Sequence, residues 1–382
     1  MLKSLCLIFL LVGCTHTKVP TKTYSNPDWQ EPYFNPKFTR INIFSTANAI
    51  ANEEAKKVGK NYYKAGGPAV LSSYLTILKS QYKNNLLLIN SGQFTQPFKN
   101  RRYLPHAKQM KQFYHYLDYD AVGLTLENFF IVFDDQFKQY RNNNIPLVNS
   151  NLLQLANGNK KSDIYPWKIK TIDNINVGII NVTTNESKKV LPHLYKGLLV
   201  QDPVYSLLKI KKRLAKKNVN IIILLTNFET KCEHPENFQK KFFNVSSQYQ
   251  LICPADDALH SFLKRLPQNI VALIVNQGTR IITGFFNQTP IVQLPNNNTF
   301  ISGIELFVDK KSKKINLELS SIKPFVKLCH SFFTDTQDCF LNSVLGKNGH
   351  SRPNIPYTLS KAKFLGTEII PDKNISNILK DK

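Results

Sequence analysis

Gly66-Gly-Pro-Ala-Val-Leu-Ser-Ser-Tyr-Leu-Thr-Ile-Leu-Lys-Ser-Gln-Tyr82 runs through Lys83-Asn-Asn85 into Leu86-Leu-Leu-Ile-Asn-Ser-Gly-Gln93. A glycine pair opens a stretch of helical spacing over residues 67–83, and the chain leaves it into an unbroken apolar run that stops at a polar, glycine-bearing end. Four apolar residues in a row are too few for a helix and show no alternation, so they predict a strand buried on both faces. The same alternation spreads outward in both directions. Further apolar, β-rich runs lie at 41–44, 121–124, 145–148, 177–180, 221–225, 271–275 and 290–294, with helical spacing over 106–117, 203–218 and 255–266. Asp202-Pro203 gives the third helix an N-cap and a first-turn proline. Strands that alternate with helices predict a layered α/β fold.

The N-terminus reads differently. Lys3 precedes the apolar run Leu5-Cys-Leu-Ile-Phe-Leu-Leu-Val12, which has the form of a signal-peptide core. It falls short of the roughly 20 apolar residues a membrane helix needs. Leu11-Val-Gly-Cys14 resembles the bacterial lipobox, which implies cleavage after residue 13 and acylation of Cys14. The acyl chains would make the membrane a partner, each buried methylene contributing about 0.8 kcal/mol. Thr15 offers no aspartate-type inner-membrane retention signal, so the expected location is the outer membrane, on its periplasmic or surface face. Residues 14–38, with Pro20, Pro27, Pro32 and Pro36, read as a lipidated tether, 39–372 as the folded domain and 373–382 as a tail.

The formal charge is +24 over 382 residues. A basic surface can meet nucleic acid, phosphorylated substrates or anionic envelope polymers. The lysines fall as scattered pairs such as Lys56-Lys57, Lys188-Lys189 and Lys240-Lys241 among many asparagines, which points to overall composition and to no specific nucleic-acid partner. With Cys6 lost in the signal and Cys14 lipidated, four cysteines remain. In an oxidising compartment they predict two disulfides, and proximity in sequence suggests Cys232 with Cys253 and Cys329 with Cys339. A zinc site using His234 and His330 is the competing arrangement, although no CxxC spacing supports it.

The order of segments resembles the bacterial 5′-nucleotidase branch of the calcineurin-like metallophosphoesterases. Gly66-Gly67, the helix to Tyr82 and the strand ending at Gln93 resemble that family's glycine-opened helix and Gly-Asp strand. Tyr119-Asp-Ala-Val-Gly-Leu124 resembles the approach to its Gly-Asn-His-Glu motif, and Val177-Gly-Ile-Ile-Asn-Val-Thr-Thr184 its Val-Gly-Ile…Thr-Thr strand. Residues 273–275 and 291–293 resemble the strands flanking its Gly-His-x-His turn, and Cys329 to Cys339 with Phe364-Leu-Gly366 and Pro371-Asp372 a closing segment. The resemblance covers about residues 40–372 and implies a four-layer α/β/β/α sandwich.

It also implies a dinuclear metal site, and here the sequence departs from it. The family's metal-binding and catalytic positions fall on Asn48, Ile50, Gln93, Leu126, Glu127, Asn227, Gly278 and Arg280, and none keeps its residue type. Two divalent cations about 3.5 Å apart repel by roughly 19 kcal/mol at an effective dielectric of ~20. Glu127 alone among the eight is anionic. No Gly-x-Ser-x-Gly, P-loop or His-Glu-x-x-His pattern offers other chemistry. The expectation is therefore a non-catalytic binding or scaffold protein without a metal cofactor. Its former cleft would be rimmed by Asn48, Gln93, Glu127, Asn227, Gln277 and Arg280, with an envelope protein or a nucleotide as possible partner. The alternative is a divergent metal-dependent nucleotide phosphoesterase with rearranged ligands.

Overall fold

The structure, a computed structural model, describes residues 29, 35–49, 54–58, 61–92, 107–126, 128, 145–154, 164–184, 198–233, 250–295, 298–334, 339 and 359–380. Two mixed six-stranded sheets form its centre. The first contains β1 (Phe38–Thr46), β2 (Leu86–Asn90), β3 (Ala121–Gly123) and β4 (Leu147–Val148). The second contains β5 (Lys168–Ile172), β6 (Ile175–Val182), β7 (Ile221–Thr226), β8 (Leu273–Gly278), β9 (Ile282–Phe286) and β10 (Thr289–Pro295). The chain then returns to the first sheet with β11 (Phe300–Asp309) and β12 (Ile315–Lys327). The sheet orders are β12-β11-β1-β2-β3-β4 and β9-β10-β8-β7-β6-β5. β1 to β4 run parallel, as do β6, β7, β8 and β10, while β5, β9, β11 and β12 pair antiparallel at the flanks.

The continuous apolar runs are explained by what lies on each face. In β6, Ile175, Val177 and Ile179 point between the sheets, whereas Ile180 and Val182 point outward to helices. In β2, Leu87 and Ile89 face the second sheet, and Leu86 and Leu88 face away from it. A strand covered on both sides has no polar face to alternate with. The outer layer of the first sheet is α1 (Pro68–Tyr82), α2 (Ala107–Leu117) and, at the far end of the chain, a helix at Lys373–Lys380. The outer layer of the second is α3 (Pro203–Ala215) and α4 (Ala258–Lys264). The α/β/β/α order expected from the resemblance is thus the order observed. Both disulfides pair as expected, Cys232 with Cys253 and Cys329 with Cys339.

Two domain boundaries need correction. Residues 373–382 were expected to be a tail, but Lys373–Lys380, α5, packs on α1 and α2 with Ile375 fully buried. Ile375, Ile378 and Leu379 recur at helical spacing, and Asp372 fixes the start by accepting from Ser72 Oγ (2.6 Å) and the Asn374 N–H (2.9 Å). Within the stretch 14–38 expected to be a tether, Trp29 is buried and stacks on Phe44 at 5.3 Å. Its indole fills the space a Cβ at Gly303 would need, and Nε1 donates to the Pro324 carbonyl at 3.1 Å. The signal segment and Cys14 lie outside the described residues.

The candidate site at the strand ends

Parallel strands deliver their C-terminal ends to one side of each sheet, and in an open α/β fold ligands gather there. The two sheets meet at these ends. After β4, Asn149 Nδ2 donates to Asn181 Oδ1 of β6 at 3.0 Å, and the Ser150 N–H donates to the Asn181 carbonyl at 2.8 Å. Asn181 in turn donates to the Leu225 carbonyl of β7 at 3.1 Å.

On the first sheet β1 closes with Thr46, and Asn48 follows in a left-handed conformation at φ 50°, a backbone region that asparagine tolerates better than most residues. The Asn48 N–H donates to the Gly92 carbonyl at 3.2 Å. At the end of β2, Asn90 Nδ2 donates to Thr46 Oγ1 at 3.0 Å and its Oδ1 accepts from the Gly92 N–H at 2.8 Å. Gly92 has φ 109°, and a Cβ there would lie 2.8 Å from the Gly123 carbonyl oxygen, so the turn requires glycine. Tyr119 Oη hydrogen-bonds Thr46 Oγ1 at 2.9 Å. Burial pushes the Tyr119 phenol far above its ordinary value, partly offset by hydrogen bonds with Thr46 and Asn90.

On the second sheet Asn276 of β8 is the hub. Its Oδ1 accepts from Thr226 Oγ1 (2.7 Å) and the Phe228 N–H (2.9 Å), and its Nδ2 donates to the Phe228 carbonyl (2.8 Å) and to Gln293 Oε1 (2.6 Å). Gln293 Nε2 completes the chain by donating to the Arg280 carbonyl at 3.0 Å. A carboxamide offers two donors and two acceptor sites, and Asn276 has used all four.

The expected site residues divide accordingly. Ile50, Gln93 and Glu127 lie outside the described residues. Asn48, Asn227, Gly278 and Arg280 do stand at or just past strand ends. Leu126 is 1% exposed and belongs to the apolar core under the first sheet, with Phe113 and Tyr114 of α2. A Cβ at Gly278 would meet Gln293 Nε2 at 2.5 Å, so a side chain there would have to displace the Gln293 amide. Arg280, expected on the cleft rim, pairs through its guanidinium with Glu233 at 3.4 Å and is 44% exposed. The disulfide explains this, since Cys232–Cys253 holds Glu233 in a bridge with Ile252 beside the Arg280 turn. Asn227 Oδ1 is buried without a hydrogen-bond partner among the described residues.

Sequence reading missed Asn90, Asn149, Asn181, Asn276 and Gln293. The available signal was a single amide interrupting or closing an otherwise apolar strand, as in Leu86-Leu-Leu-Ile-Asn90. A pair of divalent metals does not fit the described residues. The amides of Asn149, Asn181, Asn276 and Gln293 are taken by one another and by hydroxyl and main-chain groups, Leu126 lies in the core, Gly278 carries no donor atom, Arg280 pairs with Glu233, and Asn227 Oδ1 is left as a lone neutral acceptor. No group of three or more His, Cys, Asp or Glu side chains is placed to hold an ion among the described residues. Of the described histidines, His115 and His260 ride on α2 and α4, and His330 follows β12.

No protein-family model matches the chain, and no curated protein matches it in sequence. Solved structures do share its fold. A 5′-nucleotidase precursor from Thermus thermophilus is 15% identical with a TM-score of 0.54, matching 76% of this chain and 55% of its own. A calcineurin-like phosphoesterase from Bacillus subtilis is 16% identical with a TM-score of 0.54, matching 76% of this chain and 91% of its own. The Haemophilus influenzae NAD nucleotidase is 14% identical with a TM-score of 0.52, matching 76% of this chain and 50% of its own. The matched region spans about half the length of the first and third. The fold is that of the calcineurin-like phosphoesterases and 5′-nucleotidases, as the resemblance in sequence implied.

Proposed function

We propose that this chain is a lipid-anchored envelope protein that uses the phosphoesterase sandwich as a non-catalytic binding or scaffold domain. The observation that carries this reading is the amide network centred on Asn276. Side chains at the strand ends, where this fold can gather metals, satisfy each other and the main chain instead. Charge supports the same reading. Offsetting two divalent cations takes several anionic or imidazole ligands, whereas Asn48, Leu126, Asn227 and Gly278 are all uncharged. With those amides buried and already bonded, a protein loop from the envelope, or a nucleotide, would be met at the rim by half-buried Asn227 and outward-facing Arg280. The anchor rests on Leu11-Val-Gly-Cys14 and the outer-membrane location on Thr15.

The test is a metal and turnover assay on the purified full chain. We expect well under one equivalent of Mn, Fe, Zn or Ni. Hydrolysis of nucleoside monophosphates or bis(p-nitrophenyl) phosphate should not exceed a buffer control. Stoichiometric metal with turnover abolished by Glu127→Gln would establish the alternative, a divergent metal-dependent nucleotide phosphoesterase. For the anchor, wild-type protein should label with fatty acid and partition into detergent, and Cys14→Ser should do neither. Labelling that persists in Cys14→Ser would place the modification elsewhere.

A further inference from the structure

Six of the nine residues 209–217 are cationic: Lys209, Lys211, Lys212, Arg213, Lys216 and Lys217. They cover the second half of α3 and the turn after it, with five of the six exposed and Lys211 half-buried. None forms an ion pair with a described residue, whereas Arg265 of the same outer layer is neutralised by Asp202 at 2.5 Å. Lys209 and Arg213, Lys212 and Lys216, and Arg213 and Lys217 stand four apart, a spacing at which like charges repel along a helix. The helix dipole rewards cations only in the last turn, so it leaves Lys209 and Lys211 without a reason. The exposed positions 205, 208, 209, 212 and 216 follow the spacing of one helical stripe. Two of them are apolar, Tyr205 at 58% exposure and Leu208 at 36%.

We propose that this face of α3 is an interaction surface for an anionic phospholipid bilayer, independent of any lipid at Cys14. A row of cations beside a protruding tyrosine and leucine suits the boundary between headgroups and acyl chains, where lysine meets phosphate and the apolar tips leave water. Phosphates on a nucleic-acid duplex would satisfy the cations but give Leu208 no apolar partner. The helix lies along the outer layer of the sandwich, so its exposed stripe can meet a flat surface along its length.

The experiment uses the full chain carrying Cys14→Ser, so that every variant shares the same N-terminus and none is acylated. Sedimentation with phosphatidylcholine vesicles, with and without phosphatidylglycerol, measures the affinity. Binding should require phosphatidylglycerol and weaken with salt. K209Q/K212Q/K216Q should lower the affinity on the order of a hundredfold without changing the thermal midpoint, since all three side chains are exposed. Tyr205→Ser with Leu208→Ser should weaken binding as well, with little dependence on salt. A control triple in the 310–314 turn, K311Q/K313Q/K314Q, removes equal charge elsewhere and should stay within about threefold of the parent. Equal losses from the two triples would overturn the proposal in favour of net charge. So would a loss of duplex-DNA retention in K209Q/K212Q/K216Q while its vesicle binding stays intact.

Discussion

Asn276 concentrates the hydrogen bonding at the strand ends of the second sheet. Replacing it with leucine keeps the branched shape at a larger volume but orphans Thr226 Oγ1, the Phe228 N–H and carbonyl, and Gln293 Oε1. Each buried orphan costs about 1–3 kcal/mol, and relaxation makes the sum less than additive. Asn276→Leu should therefore lose roughly 3 kcal/mol in urea unfolding. Asn276→Asp should fare no better, because the new oxygen would face two acceptors, the Phe228 carbonyl and Gln293 Oε1. A loss below about 0.5 kcal/mol in both variants would mean the network is dispensable. Legibility at this scale was uneven. Asn48, Asn227, Gly278 and Arg280 could be set at strand ends by their order in the chain, but where Arg280 points depends on Glu233, 47 residues away. Asn276 gave only the signal of an amide closing an apolar strand, and its role stayed hidden because its partners come from two other segments.

Elements were easier to read than contacts, and the reason is physical. The parallel strands are covered on both faces and so appear as largely apolar runs, which is why β1, β2, β3, β4, β6, β7, β8 and β10 could be found. β5 reads Lys-Ile-Lys-Thr-Ile and flanks its sheet in an antiparallel pair, with alternate residues half-buried and exposed, so its run is diluted by polar positions. β12 mixes exposure in the same way, and the run read at 145–148 shortens to the two residues of β4 because Pro146 has no N–H to give to a ladder. Helix starts were legible from caps. Asp202 accepts from the Tyr205 N–H at 2.9 Å, with Pro203 in the first turn. Burial raises the Asp202 carboxyl, but hydrogen bonds from Tyr205 and Arg265 outweigh it and hold the group below its ordinary value. A depressed carboxylate stabilises the fold above its unfolded pKa, and that contribution is lost as pH falls through the folded value, in the window below about pH 4. Asp202→Ala should cost about 1 kcal/mol at neutral pH. The difference from wild type should shrink on acidification. A penalty that stays constant down to pH 2 would show that the carboxylate's charge is not involved.

At the scale of the whole molecule the sandwich was legible only through the resemblance, because no single strand says which of two sheets it joins. β11 shows the difficulty. It pairs β1 across more than 250 residues of chain and carries Glu305, buried in ion pairs with Arg40 and Lys323. Such long-range burial makes the fold's stability depend on pH at the alkaline end as well. Tyr114 and Tyr119 are fully enclosed under the first sheet, and burial pushes both phenols well above the ordinary value of 10.0. Above pH 10 the unfolded chain releases these two protons and the folded chain keeps them, so the native state binds more protons and stability falls as pH rises. Lys323 acts in the opposite sense. Burial lowers its pKa, so stability rises with pH from its folded value up to the ordinary lysine value of 10.5, and the contribution is complete there. Above that point the two tyrosines act unopposed, each at about 1.36 kcal/mol per pH unit. Urea unfolding between pH 10.5 and 11.5 should therefore show stability declining by roughly 2–3 kcal/mol per unit. Tyr119→Phe removes one of the two protons and should halve that slope, even though losing the hydrogen bond to Thr46 lowers stability at neutral pH by about 1 kcal/mol. An unchanged slope in Tyr119→Phe would mean that its phenol ionises in the folded protein, and that water reaches the strand ends beside Thr46 and Asn90.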